Sequence, residues 1–150
     1  MDVEITECQD AEPAWIAGRA ALWPEATGAE HEADARRLLA RRPRFIALIA
    51  RSGRGVAGFA EARLRSDPVN GCASEDVAFL EGLWVARASR RRGVARALIA
   101  AIEAWARGHG CTEFASDALL ENLPGHAVHR ATGFEETERV VYFRKRLADA

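Results

Sequence analysis

The sequence is short of the features that mark several whole classes of protein. No apolar run approaches the roughly twenty residues that cross a bilayer, so no membrane contact is expected. Met1–Gln9 carries acids and no apolar stretch, unlike a secretory signal, and a cytoplasmic location is the expectation. There are only three cysteines, Cys8, Cys72 and Cys111. An odd number without metal-type spacing argues against a disulfide framework and against a zinc site, and no metal is expected. Net charge is also nearly absent, at -1. So balanced a chain has no global attraction to nucleic acid, and its one arginine cluster lacks the interleaved aromatics of a strand-binding surface. Repeats, low-complexity segments and interdomain linkers are missing as well. The 150 residues, 49% hydrophobic, therefore read as one globular domain over 1–150.

What is present is a series of strand and helix signals. Val3 and Ile5 alternate with polar residues as in a short strand. Asp10 is placed to cap a helix with Pro13 in its first turn, carrying Trp15, Ile16, Arg19 and Leu22 and ending at Trp23-Pro24. Glu25–Gly28 reads as a loop and Glu30–Ala40 as a charged helix. Phe45–Ala50 and Val56–Arg65 flank the turn Ser52-Gly53-Arg54-Gly55 as a hairpin. A polar loop, Ser66–Asp76, leads to the most apolar strand, Val77–Val85. A helix then opens at Arg91 or Arg92 and runs to Arg107, with Val94, Leu98, Ile102 and Trp105 or Ala106 on one face. Phe114–Asp117 reads as a strand, Asn122–Ala131 as a helix closed by Gly133, and Val140–Leu147 as a last strand. The order is that of a mixed α/β domain.

Arginine is concentrated at Arg87, Arg90, Arg91, Arg92 and Arg96, where the apolar strand gives way to the amphipathic helix. A helix N-terminus has unpaired N–H groups and the positive end of the dipole. Basic residues oppose that dipole, so a plain helix start would gain from acids instead. A phosphate resolves the conflict: Gly93 permits close backbone approach, successive N–H groups form an anion nest, and arginine adds forked donors. The segment Arg90-Arg91-Arg92-Gly93-Val94-Ala95 is neither G-x-x-x-x-G-K-S/T nor G-x-G-x-x-G, which disfavours a P-loop and a dinucleotide site. Inside the apolar strand, Glu81 stands where the alternation asks for an apolar residue, on the face of Phe79 and Leu83. Such an acid must be solvated or paired, and Gly82 beside it suggests a bulge or a close backbone approach. Glu81 is either a site carboxylate or an edge-strand glutamate paired with an arginine.

Arg-x-x-Gly-x-Ala after an apolar strand resembles the pyrophosphate-binding motif of the Gcn5-related N-acetyltransferases, and the element order is similar to that fold over nearly the whole chain. The resemblance implies a mostly antiparallel sheet with flanking helices and splayed central strands. It implies acetyl-CoA as co-substrate, with its pyrophosphate on the N–H groups of Arg91, Arg92, Gly93, Val94, Ala95 and Arg96. Its pantetheine arm would lie along Leu83, Trp84 and Val85, and Asn122, itself a candidate helix N-cap, would also contact the coenzyme. Acetylation of an amine requires a free nitrogen lone pair. Glu81 would orient an ammonium and accept its proton, backbone N–H groups of Leu83–Val85 would hold the oxyanion, and much of the rate would come from proximity. Relatives usually carry tyrosine, as the acid for the leaving thiolate, where this chain has His129. Either His129 donates that proton, or water and dipoles assist the thiolate; the plainer alternative for His129 is an ordinary helix histidine.

Scattered segments also resemble one branch, the aminoglycoside 6'-N-acetyltransferases: Leu22-Trp23-Pro24, Asp67-Pro68-Val69-Asn70-Gly71-Cys72, Val77–Gly82, Ala115-Ser116-Asp117 and Gly133–Val140. This likeness implies a polycationic acceptor held by Trp23, Glu81, Asp117 and Glu138, transfer to its 6'-amino group in a ternary complex, and a homodimer to which Val140–Phe143 contributes. Each acceptor position has a plainer alternative: Trp23 closing a helix onto the core, Asp117 capping a turn, Glu138 lying on a strand edge. The competing functions are acetylation of a protein or polyamine amine, and a non-catalytic acetyl-CoA-binding module.

Overall fold

Apolar runs buried on both faces build the centre of a five-stranded sheet. In the computed structural model, which describes residues 2–149, the strands are β1 (Glu4–Glu7), β2 (Phe45–Ser52), β3 (Gly55–Arg65), β4 (Val77–Val85) and β5 (Phe114–Ala115), in that spatial order. The first four are antiparallel and β5 runs parallel to β4. Helices α1 (Pro13–Leu22), α2 (Gly28–Leu39), α3 (Val94–Gly108) and α4 (Leu123–Ala131) complete the chain. On one face, Val94, Leu98 and Ile102 of α3 pack on Ile46, Leu48 and Leu80. On the other, Trp15, Ala35 and Leu39 of α1 and α2 pack on Phe45, Ala47, Ile49 and Phe59.

The boundaries follow local chemistry, which moves some of them from their expected places. Helix α1 starts after Glu12 rather than at Asp10, because Pro13 occupies its first turn, where a missing N–H costs nothing. Helix α2 starts two residues before the expected Glu30. Thr27 Oγ1 accepts from the Glu30 amide at 3.1 Å while the Glu30 carboxylate accepts from the Thr27 amide at 3.2 Å, a capping box. Helix α3 opens at Val94 rather than at Arg91 or Arg92, since Gly93 takes a left-handed φ of 82° as its cap. The strand expected over Val140–Leu147 is absent. A strand needs a neighbour for its amides, and residues 135–149 find none among the described residues. Val141, Tyr142, Phe143 and Leu147 are exposed there.

The α1 side of the sheet contains a buried ion pair. Glu61 of β3 is 1% exposed and Arg19 of α1 is 7% exposed. Arg19 Nη1 donates to Glu61 Oε1 at 2.6 Å, Trp15 Nε1 donates to Glu61 Oε2 at 2.9 Å, and Asp34 lies 3.6 Å from Arg19. Burial pushes the Glu61 carboxyl above its ordinary range, against the opposing pull of Arg19 and the Trp15 hydrogen bond. Removing one partner leaves a buried charge uncompensated, which typically costs about 3–5 kcal/mol. Glu61→Leu should therefore lower stability by about that much in urea unfolding, and the double variant Arg19→Met/Glu61→Leu should recover most of the loss. A single variant as stable as the parent would contradict this reading of the pair.

Candidate active site

Strands β4 and β5 pair at only two positions, Ala78 with Phe114 and Phe79 with Ala115. Beyond them the strands part, and the β5-facing edge of β4 is unpaired from Leu80 onward. A bulge marks the same point. Glu61 of β3 pairs with Gly82 and Ala62 with Leu80, leaving Glu81 as the extra residue. A bulge bends its strand and re-aims side chains. It also breaks the expected alternation: Phe79 packs with Val69 and Val77 on one face, whereas Leu83 packs against the α3 cluster on the other. Glu81 lies 2.5 Å from Arg63 Nε, with both side chains roughly one-third exposed. The arginine-paired alternative for Glu81 thus holds for the chain alone, although β4 is an interior strand.

Trp23 closes α1 and lies across Gly82, where an added Cβ would come within 2.6 Å of the indole. The Arg19 guanidinium sits 4.8 Å from the Trp23 ring centre, and Phe59 meets the ring edge-on at 6.3 Å. Buried His31 donates from Nε2 to the Trp23 carbonyl at 2.9 Å. Trp23 and Glu81 are therefore neighbours on the bulge. Asp117 follows Ser116 just past the end of β5, and with Glu81 it lies within electrostatic reach of Arg65. Glu138 is exposed in the C-terminal segment, and no ion pair among the described residues holds it. Its neighbour Thr137 rests on Gly71 of the 66–76 loop.

At the start of α3, Arg91 and Gly93 both have positive φ, 63° and 82°, and no side chain caps the helix. Space above Gly93 is open, so conformation rather than crowding requires glycine there. Arg91 and Arg92 are exposed, Val94 is buried and Ala95 is half-buried. The Arg96 side chain turns away from the start of α3 and donates to the Ala131 carbonyl at the end of α4, 2.7 Å distant. Asn122 caps α4, its Oδ1 accepting from the Gly125 amide at 3.1 Å. His129 bonds to the Gly125 carbonyl and to Ser116 Oγ. No cysteine is poised as a nucleophile: burial pushes the Cys8 thiol up to about 12.

A family model described as the acetyltransferase (GNAT) family matches residues 9–134. The chain belongs to this family. It is 49% identical over 135 residues to the aminoglycoside N(6')-acetyltransferase type 1 of Serratia marcescens, covering 89% of this chain and 92% of that one. The enzyme of the same name from Stenotrophomonas maltophilia is 50% identical over 134 residues, covering 89% and 86%. Among solved structures, AAC(6')-Iy in complex with the bisubstrate analogue CoA-S-monomethyl-acetylneamine superposes with a TM-score of 0.91. It is 41% identical, with 97% of this chain and 99% of that one covered. AAC(6')-Ih from Acinetobacter baumannii superposes at 0.90 with 39% identity, covering 98% and 100%.

Within this GNAT domain, sequence reasoning left out three side chains that shape the cleft. Arg63 holds Glu81, Arg19 underlies Trp23, and His31 ties down the Trp23 carbonyl. Arg19 and Trp23 stand four residues apart, a helical spacing visible in the sequence, whereas the pairings of Arg63 and His31 join separate elements and no spacing reveals them. Because the Trp23 indole lies directly against Gly82, Gly82→Ala forces either the indole or the strand to move. Overpacking of this kind costs about 1–3 kcal/mol. The variant should melt earlier and show altered tryptophan fluorescence, a spectral change that disappears in a Trp23→Phe background. Unchanged fluorescence and melting would separate Trp23 from the bulge.

Proposed function

We propose that this chain transfers the acetyl group of acetyl-CoA to the 6'-amino group of an aminoglycoside. The observation that carries the reading is the parting of β4 and β5, which leaves an unpaired strand edge beside a carboxylate and an aromatic. Near-full-length similarity to relatives named for this activity supports it. Acetyl-CoA supplies the acyl group as an activated thioester. The positive-φ turn at Arg91 and Gly93 and the uncapped α3 suit its pyrophosphate: amides of Arg91 to Arg96 bind it, and the Arg91 and Arg92 guanidinium groups add charge. Backbone groups of Leu83, Trp84 and Val85 hold the pantetheine arm as an added strand. With Oδ1 engaged, Asn122 has its amide NH₂ left to offer. A cytoplasmic site of action suits three free cysteines.

On the acceptor side, Glu81 exchanges Arg63 for the incoming ammonium and takes up its proton. Asp117 and Glu138 bind further amino groups, and Trp23 provides a flat wall for a sugar ring. Partly exposed ion pairs contribute only about 0–1 kcal/mol, so displacing Arg63 is inexpensive. A coupled thiol-release assay with kanamycin, spermidine and a lysine peptide tests the reading. Turnover is expected with kanamycin, and none with any aminoglycoside overturns the choice of acceptor. Glu81→Gln should lower turnover by about 10²–10⁴-fold while acetyl-CoA still raises the melting temperature. Unchanged turnover would remove Glu81 as the base.

The working form is a homodimer built through the C-terminal segment. Tyr142, Phe143 and Leu147 are 84%, 91% and 92% exposed, and the outer edge of β5 has no partner within the described residues. Burying such side chains is worth about 1.5–3 kcal/mol each. A second copy of the chain offers both a sheet edge and an apolar surface. Sedimentation should show a dimer for the parent and a monomer for Tyr142→Asp/Phe143→Asp. A monomeric parent would overturn the proposal.

A further inference from the structure

Ser116 and His129 form a hydrogen-bonded pair where β4 and β5 part. Ser116 is the first residue past the last strand pair, Phe79 with Ala115, and is half-exposed. His129 lies in α4, with Nε2 2.8 Å from Ser116 Oγ and Nδ1 2.6 Å from the Gly125 carbonyl oxygen. A carbonyl has no proton to give, so Nδ1 carries the ring proton. In the neutral ring Nε2 is then a lone pair, and the Ser116 hydroxyl donates to it. The competing acceptor, the Asp117 carbonyl, is 3.5 Å away, and the single hydroxyl proton goes to the nearer partner. The ring is fixed edge-on against Phe134, with centroids 5.1 Å apart, and Phe134 lies against Phe114 at 5.0 Å. The Phe134 amide also donates to the His129 carbonyl at 2.9 Å.

Both ring nitrogens are thus engaged, and the one able to accept a proton faces a hydroxyl. A proton that reaches or leaves Nε2 passes through Ser116 Oγ. We infer that Ser116 is a further catalytic residue, a relay that moves a proton between the acceptor nitrogen and the departing sulfur with His129 as its reservoir. The inference rests on the acetyl-transfer reading. After Glu81 has removed the first proton of the ammonium, the C–N bond forms and the nitrogen still carries a surplus proton. That N–H bond breaks toward Ser116 Oγ as the hydroxyl proton moves to His129 Nε2. The C–S bond then breaks with its electron pair on sulfur. The Ser116 hydroxyl protonates the sulfur and is restored by the proton on Nε2. The relay ends as it began, Glu81 returns its proton to solvent, and no other co-reactant is needed.

A purely structural role, tying α4 to the end of β5, predicts different results. In the wild-type protein, ¹⁵N spectra of the histidine rings in the neutral form should show His129 protonated at Nδ1 and bare at Nε2. The reverse tautomer overturns the relay whether or not the enzyme is active. Ser116→Ala should lower kcat by about 10²-fold with the KM for acetyl-CoA and the melting temperature unchanged, and Ser116→Thr, which keeps the hydroxyl, should restore most of the rate. An unchanged kcat overturns the proposal, as does a loss matched by changes in KM and melting temperature. The comparison is made with whichever amine of the panel wild-type enzyme acetylates. Failure with aminoglycosides alone thus counts against the acceptor, and failure with every amine counts against acetyl transfer and the relay together.

Discussion

Two residues of parallel pairing between β4 and β5 carry the whole arrangement. They bring Phe114 and Ala115 against Ala78 and Phe79, and so fix where the chain of Ser116 and Asp117 emerges. Two residues further on, the bulge at Glu81 bends β4, and the strands do not meet again. An open strand edge inside a folded domain is unusual, because unpaired amides seek partners. Here the open edge lies beside Glu81, Asp117, Trp23 and the Ser116–His129 pair. These groups converge because they flank a single divergence in the sheet.

Charge around this divergence is organised in two tiers that differ by exposure. Arg19 and Glu61 are buried and cannot exchange partners with solvent, so their pairing sets the position of α1 and of Trp23 at its end. In a low-dielectric setting such a pair is costly to break even where its net contribution to stability is modest. Arg63 and Glu81 are partly exposed, and their attraction is of the weak kind. The first pair acts as scaffold, and the second can give way to a ligand. Residue type does not distinguish these arginine–glutamate pairs; depth does.

Much of the fold was legible along the chain. The Gly-rich hairpin turn, the apolar Val77–Val85 run and the helical face of Val94, Leu98 and Ile102 all stand in the structure as their periodicity suggests. The arginine–glycine turn was legible too, although the helix starts later than the arginines imply because Gly93 takes the cap. The acid at Glu81 stood out as a break in the pattern. What misled was strict alternation across it, since a bulge shifts every later side chain to the other face. The capping box at Thr27 was present in the letters but hidden in what read as loop. The last strand was read correctly as a strand-forming pattern and wrongly as a strand, because pattern alone does not supply a neighbour.

The sequence by itself determined the order of elements, the place of the arginine–glycine turn and the presence of an acid in an apolar strand. These are local properties, set by spacing, turn residues and backbone preference over a few positions. Only the tertiary structure decided that β4 and β5 part after two pairs, that Arg63 rather than solvent holds Glu81, that Arg19 meets Glu61, and that Ser116 meets His129. Those contacts join residues from different elements, often dozens of positions apart. No periodicity encodes them, and they exist only once the helices have docked and the strand register has been chosen.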